Sequence, residues 1–212
     1  GLNQCCSVTC SLEKIPAYKP KIPEPKCRAD LIKFWFNLSL DDKTANKMLW
    51  ITKGGAKVVR MTDNLTRPVL DRPERYEYTP RVLCKEGTLG FRAYWEVEFS
   101  AGRRNSDGPC GFGENEESWV LVWSGSSYHA WHKSQSVEIS EVPMCSTIGV
   151  YLDQPAGILN FCAVQEVREG EEHTGGREVK LLQQVRSSFK EKLIPGMWLG
   201  TQSHCMIKKR EE

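Results

Sequence analysis

The 212 residues include 29 basic and 27 acidic side chains, for a formal net charge of +2, with 40% hydrophobic and 26% charged residues. A soluble chain of this size buries one sizeable core plus an extension, and its balanced charge gives no electrostatic footprint for nucleic acid or an anionic membrane. No apolar run approaches the roughly 20 residues that span a bilayer, and GLNQCCSVTCSL at the start lacks the features of a signal peptide.

The chain opens without an initiating Met and reads as a piece of something longer. Gly1 and Cys5-Cys6 would suggest acylation, but the motif wants Ser or Thr where Cys5 stands. Nine cysteines, at 5, 6, 10, 27, 84, 110, 145, 162 and 205, form no CxxC pair and no even framework. Free thiols in a reducing, cytoplasmic compartment are expected, with Cys84 and Cys162 buried as small hydrophobes. Residues 13–28, EKIPAYKPKIPEPKCR, hold four prolines and five basic residues, so 1–29 reads as an extended Pro/Lys-rich linker. Asp30 is expected to cap a short helix whose Leu31, Phe34 and Trp35 dock on the domain that follows.

From residue 38 onward the pattern is strands and turns. LSLD predicts a brief strand and TANK a turn, while LWIT and KVVRM flank Lys53-Gly54-Gly55-Ala56 as a hairpin. VLC, AYWEVEFS, SWVLVW, SYHAWH, TIGVYLD, GILNFCAV, KLLQQV and MWLGT follow, with a hairpin loop at Asp153–Gly157. In AYWEVEFS the period of two puts Trp95, Val97 and Phe99 on a buried face and Tyr94, Glu96 and Glu98 on a wet one. Residues 165–178, QEVREGEEHTGGRE, have no burial pattern and read as a charged loop. These elements predict an all-β, two-sheet antiparallel sandwich with a short N-terminal helix. Leu121, Val150, Leu152 and Phe161 are expected in its core with Trp95, Val97 and Phe99.

Catalytic chemistry finds little support. His129 and His132 are three residues apart on a strand and point to opposite faces, which disfavours a metal pair. His173 lies in the charged stretch, His204 adjoins Cys205, and Glu114, Glu116 and Glu117 sit in a polar turn. No nucleophile motif, P-loop or dinucleotide fingerprint occurs. No enzyme activity, metal or cofactor is expected. Trp123, Tyr128 and Trp131 surround the turn Ser124-Gly125-Ser126-Ser127, where exposed aromatics would make a contact platform.

Several stretches together resemble the PRY-SPRY (B30.2) domain. LSLDDKTANKMLWITKGGAKVVR looks like its PRY opening, and DRPERYEYTPRVLCKEGTLGFRAYWEVEF like the junction into SPRY. FGENEESWVLVW, IGVYLDQPAGILNF and SSFKEKLIPGMWLG complete the order over residues 30–208, with 209–212 left as a charged tail. The flavour is that of fish tripartite-motif ubiquitin ligases, NACHT-type immune receptors and stonustoxin-like proteins. The resemblance implies a non-catalytic module that binds a partner protein through surface loops, with no nucleic-acid or membrane partner. Its parent would be a ligase or immune receptor, oligomeric through an upstream coiled coil; the alternative is the C-terminal structural domain of a pore-forming toxin. Candidate loops are Met61–Leu70, Arg103–Cys110, Ser124–Lys133 and Gln165–Glu178. The partner-binding residues expected on them are Asn64, Arg67, Arg103, Arg104, Trp123, Tyr128 and Trp131.

The resemblance breaks after Phe99. Family members usually place another strand between YWEVE and the Arg-rich loop, whereas here Ser100-Ala101-Gly102 leads directly to Arg103-Arg104-Asn105. Two readings stay open: AYWEVEFS pairs differently, or the chain reflects a shortened isoform or a gene-model error. With a strand absent, the edge beside AYWEVEFS is expected to carry unpaired amides or to be covered by the Arg103–Cys110 loop, and an exposed edge invites aggregation.

Overall fold

A computed structural model describes residues 23–62, 64–100, 112, 115–124, 126–143, 145–169 and 172–210, with the backbone alone at 168, 169 and 172–175. Most of the expected linker, the Arg103–Cys110 loop, and Cys5, Cys6, Cys10 and Glu114 lie outside the described residues.

The fold is an antiparallel β-sandwich with a short N-terminal helix, as the sequence pattern predicts. Helix α1 (Arg28–Leu31) runs into a 3-10 turn (Ile32–Phe34). The strands are β1 (Leu49–Thr52), β2 (Lys57–Arg60), β3 (Arg81–Leu83), β4 (Arg92–Phe99), β5 (Val120–Trp123) and β6 (Tyr128–His132). They continue with β7 (Gln135–Ile139), β8 (Thr147–Asp153), β9 (Ile158–Glu169), β10 (Glu172–Arg186), β11 (Gly196–Trp198) and β12 (Ser203–Ile207). Seven form one sheet in the order β1-β2-β12-β4-β8-β9-β10; the β3–β11 pair and the β5-β6-β7 sheet form the opposite layer.

Local chemistry accounts for the first part of the chain. Lys53, Gly54 and Gly55 all take positive φ, at 51°, 63° and 91°, and close the β1–β2 hairpin where two glycines make that conformation cheap. The turn ahead of it, Asp41–Asn46, is knotted rather than merely polar. Thr44 Oγ1 accepts the Leu83 amide at 2.9 Å, and the fully buried Asn46 donates from Nδ2 to the carbonyls of Tyr76 and Glu77, both at 3.0 Å. Buried side-chain amides persist only when satisfied in this way, so these polar positions tie the turn to the strap at 67–79.

Two apolar clusters fill the space between the layers. Leu40, Leu49, Val58, Val82, Cys84, Met197 and Leu199 pack beneath the hairpin. Ala93, Trp95, Val150, Leu152, Leu159, Phe161 and Phe189 form the second cluster, with Val97, Trp119 and Leu121 partly buried against it. Six of the seven expected core positions therefore belong to this cluster; Phe99 instead packs edge-on against Tyr128 with ring centroids 6.4 Å apart.

Four expectations are corrected. The second face of β4 is not wet: Tyr94 and Glu96 are both fully buried, because α1 and the 3-10 turn lie across it. Leu31, Phe34 and Trp35 do dock there, on Tyr94 and Tyr151, but the N-cap position is Cys27 and Asp30 lies inside α1. Nor does β4 have an open edge. Beyond β8 on one side, its other side is occupied in turn by Phe36, whose amide donates to Tyr94 O at 2.8 Å, by Lys208, which donates to Glu96 O at 2.9 Å, and by β12 opposite Val97–Phe99. Both ends of the described chain thus converge on the edge that the missing strand was expected to vacate. Finally, residues 165–169 and 172–178 are not loop but the outer parts of β9 and β10, with Gln165 opposite Glu178 and Glu166 opposite Arg177. These parts extend past β8, so solvent reaches both of their faces and the charges show no period.

The five described cysteines are free thiols, with Cys84 and Cys162 buried and Cys27 exposed. Burial pushes both buried thiols up to about 12, so the reactive thiolate is scarce at neutral pH. Thiol titration of the native protein at pH 8 is expected to label Cys27 promptly and Cys84 and Cys162 only after denaturation. Rapid labelling of either buried thiol would mean that the sandwich opens around it.

A loop-bearing end as the candidate interaction site

The expected site residues do not come together as one surface. Arg103 and Arg104 lie outside the described residues. Arg67 is turned inward: its Nε donates to Leu49 O, and its Nη2 pairs with Asp42 Oδ1 at 2.9 Å. Its charge holds the strap on the hairpin rather than facing a partner. Asn64 is exposed in the turn beside Leu65. Trp123 and Tyr128 are cross-strand partners in the β5–β6 ladder, their rings 4.6 Å apart, and Tyr128 is only 2% exposed. Trp131, three residues further along β6, falls on the opposite face and is half-exposed. Ser124–Lys133 is therefore a short turn followed by β6, not a loop.

The Tyr128 region nevertheless anchors one end of the sandwich. Its ring lies between Phe99 and Trp123, and its hydroxyl contacts Cys145 Sγ at 3.3 Å. Burial first, and then the thiol contact, pushes the Tyr128 hydroxyl above its ordinary range, so it stays neutral. Phe99 leads to Ser100, whose amide donates to His204 O at 3.1 Å while its Oγ accepts the His204 amide at 3.0 Å. Gln202, at φ 58° in the turn before β12, donates its amide to Met61 O at 2.7 Å. This chain of contacts brings three segments to the same end: Met61–Leu65, Gly200–Ser203 and Ser124–Ser127. Met61 and Leu65 are 45% and 43% exposed there. The Ser124–Ser127 turn closes on itself, Ser124 N donating to Ser127 O at 3.0 Å and Ser127 Oγ meeting His129 Nε2 at 2.9 Å. Trp123 Nε1 is buried at its base without a hydrogen-bond partner among the described residues. The turn at 200–203 went unread in the sequence because Gly-Thr-Gln-Ser signals a turn but not what the turn touches.

Among the described residues no three His, Cys, Asp or Glu side chains gather as a metal site. His132 stacks on Trp119 at 4.9 Å and contacts Ser118 O through Nδ1 at 2.8 Å, a packed strand residue rather than a ligand. No helix among them is long and apolar enough to cross a membrane.

Comparison with known proteins decides what this architecture is. The PRY family, a SPRY-associated domain, matches residues 38–88. The solved TRIM65 PSpry domain superposes with a TM-score of 0.71 over 89% of this chain and 99% of its own, at 22% identity. The chain is a PRY-SPRY (B30.2) domain. The stonustoxin structure matches it with a TM-score of 0.73 at 24% identity, over 89% of this chain and 31% of that one. In sequence, stonustoxin subunit beta of Synanceia horrida is 30% identical over 86% of this chain, and tripartite motif-containing protein 16 of Mus musculus is 24% identical over 89%. The chain spans only 26% and 34% of those two curated relatives. Within the PRY-SPRY frame, the polar knot at Thr44 and Asn46 and the segment from Met61 both fall in the PRY match, and the loop-bearing end joins Met61 to strands β4, β5, β6 and β12 beyond that match.

Proposed function

We propose that the domain is a non-catalytic recognition module that grips a partner protein at the loop-bearing end. The supporting observation is the convergence of Met61–Leu65, Gly200–Ser203 and Ser124–Ser127 on the Phe99–Tyr128–Trp123 base, where Tyr128 is buried. A rigid scaffold carrying short loops with exposed apolar side chains suits a polar-rimmed protein interface. Asn64, Trp131 and the Arg103–Arg104 segment join this reading as candidate contacts; Arg67 is better assigned to holding the strap. The parent is read as a tripartite-motif ligase or immune receptor, cytoplasmic, with this domain selecting the target. The higher identity to the stonustoxin chain supports a second reading, a structural domain of a pore-forming assembly.

The test is quantitative affinity capture with the wild-type chain and a Met61→Ser/Leu65→Ser variant in parallel. Both side chains are exposed, so the substitutions should change stability by no more than about 0.5 kcal/mol each. A protein retained by the wild type and lost by the variant at equal melting temperature is the expected result. Identical capture by both would remove the loop-bearing end from the interface.

A further inference from the structure

We propose a second binding surface, distinct from the loop-bearing end: the outer edge of β1 at Ile51 accepts an extended acidic peptide as an added strand. β1 is the terminal strand of the seven-stranded sheet. Leu49 donates its amide to Asn46 O at 3.0 Å and accepts Arg67 Nε at its carbonyl, so both of its backbone groups face away from β2. Antiparallel ladders alternate, and Ile51, two residues on, must present its N–H and C=O in that same outward direction. Among the described residues no hydrogen bond reaches them. They open onto a groove of 580 Å³, walled by Asp41–Lys43, the Gly54-Gly55 turn and the strap from Arg67 to Arg75.

The charges around this groove are unequal. Asp42 is neutralised by Arg67 at 2.9 Å, which leaves Asp41 as the remaining acidic wall residue. Against it stand Lys43, Arg72 and Lys85, none of them in an ion pair among the described residues, although Lys85 lies near enough to Glu86 to favour its charged form. Arg75 adds a further cation whose partners are all neutral carbonyls, those of Leu70, Asp42 and Ala45. Between the cations lies apolar surface from Ile51, Pro68, Val69 and Leu70, the last 70% exposed. A free backbone donor and acceptor, an apolar wall and a basic rim match an extended strand whose side chains alternate between apolar and carboxylate. Basic or uniformly polar peptides would leave the rim uncompensated. Ile51 lies opposite Val58 towards the hairpin end of β2, whereas Met61 follows its other end, about 10 Å on at 3.3 Å per residue.

The probe is a capped, fluorescein-labelled heptapeptide of alternating Asp and Val, compared with its Lys/Val counterpart by anisotropy on the full chain. Saturable binding of the acidic peptide alone, weakened by added salt, is expected, together with slowed amide exchange at Ile51. Arg72→Glu/Lys85→Glu should weaken binding about tenfold, since two favourable rim contacts become repulsive. Met61→Ser/Leu65→Ser should leave binding unchanged, which separates this site from the loop-bearing end. If the double reversal lowers the melting temperature, Lys43→Glu carries the same test at a turn position. Equal binding of both peptides, undiminished binding after charge reversal, or an Ile51 amide that exchanges as fast with peptide as without would each overturn the proposal.

Discussion

Replacing Arg28 by Met is expected to cost about 3–5 kcal/mol of folding stability, the range for stripping the partner from a buried charge. Glu96 is wholly buried, and its carboxylate accepts Arg28 Nε at 2.7 Å, Arg28 Nη2 at 3.2 Å and the Tyr94 hydroxyl at 2.7 Å. Without the guanidinium, Glu96 keeps one neutral donor in a dry site. The hydrogen bond to Glu96 raises the Arg28 pKa further, so the contribution is present below the ordinary guanidinium range and lost only above the raised value. Alkaline pH will not mimic the mutation. Arg28→Met/Glu96→Gln should recover part of the loss, because the neutral amide removes the buried charge while its oxygen still accepts the Tyr94 hydroxyl. Urea denaturation of both variants checks this. A single variant within about 1 kcal/mol of wild type, or a double variant as unstable as the single, would mean that water reaches Glu96 and the ion pair matters little. The consequence for the fold is directional: this clamp fixes how α1 enters the sandwich and keeps Tyr94 and Tyr151 covered.

That clamp also marks the limit of what the residues disclosed in advance. Trp95, Val150, Leu152 and Phe161 were legible because their alternation is strict and their partners are strands of the same kind. Glu96 was not, since a carboxylate at an alternate position reads as solvent-facing, and only the arrival of Arg28 from 68 residues away makes its burial tolerable. The outer β9–β10 hairpin failed for the opposite reason: it is strand with no buried face, so no period exists to detect. The β1–β2 hairpin was legible through its glycines, whose φ the turn requires. At the candidate site, composition pointed to Trp123, Tyr128 and Trp131 as one aromatic group around the Ser124–Ser127 turn. It could not assign their faces, because a turn of uncertain length before Tyr128 shifts the register by one and inverts every side chain after it. Arg67 misled similarly; a basic residue in a polar loop gives no sign that a strand-edge carbonyl awaits it.

Tyr128→Ala is expected to destabilise the domain by about 3–5 kcal/mol, as for other large buried aromatics. The ring is 2% exposed and lies 4.6 Å from Trp123 and 6.4 Å from Phe99, so its truncation leaves a cavity between them. Tyr128→Phe retains those ring contacts and gives up the hydroxyl–thiol contact with Cys145, so its cost should stay below about 1 kcal/mol. Trp131→Ala, on the outer face and half-exposed, should alter stability by no more than about 0.5 kcal/mol. Denaturant midpoints for the three variants separate scaffold from surface, and partner capture then sorts function. Tyr128→Ala should lose capture along with stability, because the turns at Ser124–Ser127 and Gly200–Ser203 rest on that base. Trp131→Ala isolates the surface term: lost capture at unchanged stability would extend the interface onto the outer face of β6, and retained capture would confine it to the loop-bearing end. Equal stability of the Ala and Phe variants at 128 would contradict the packing on which the whole assignment of that end depends.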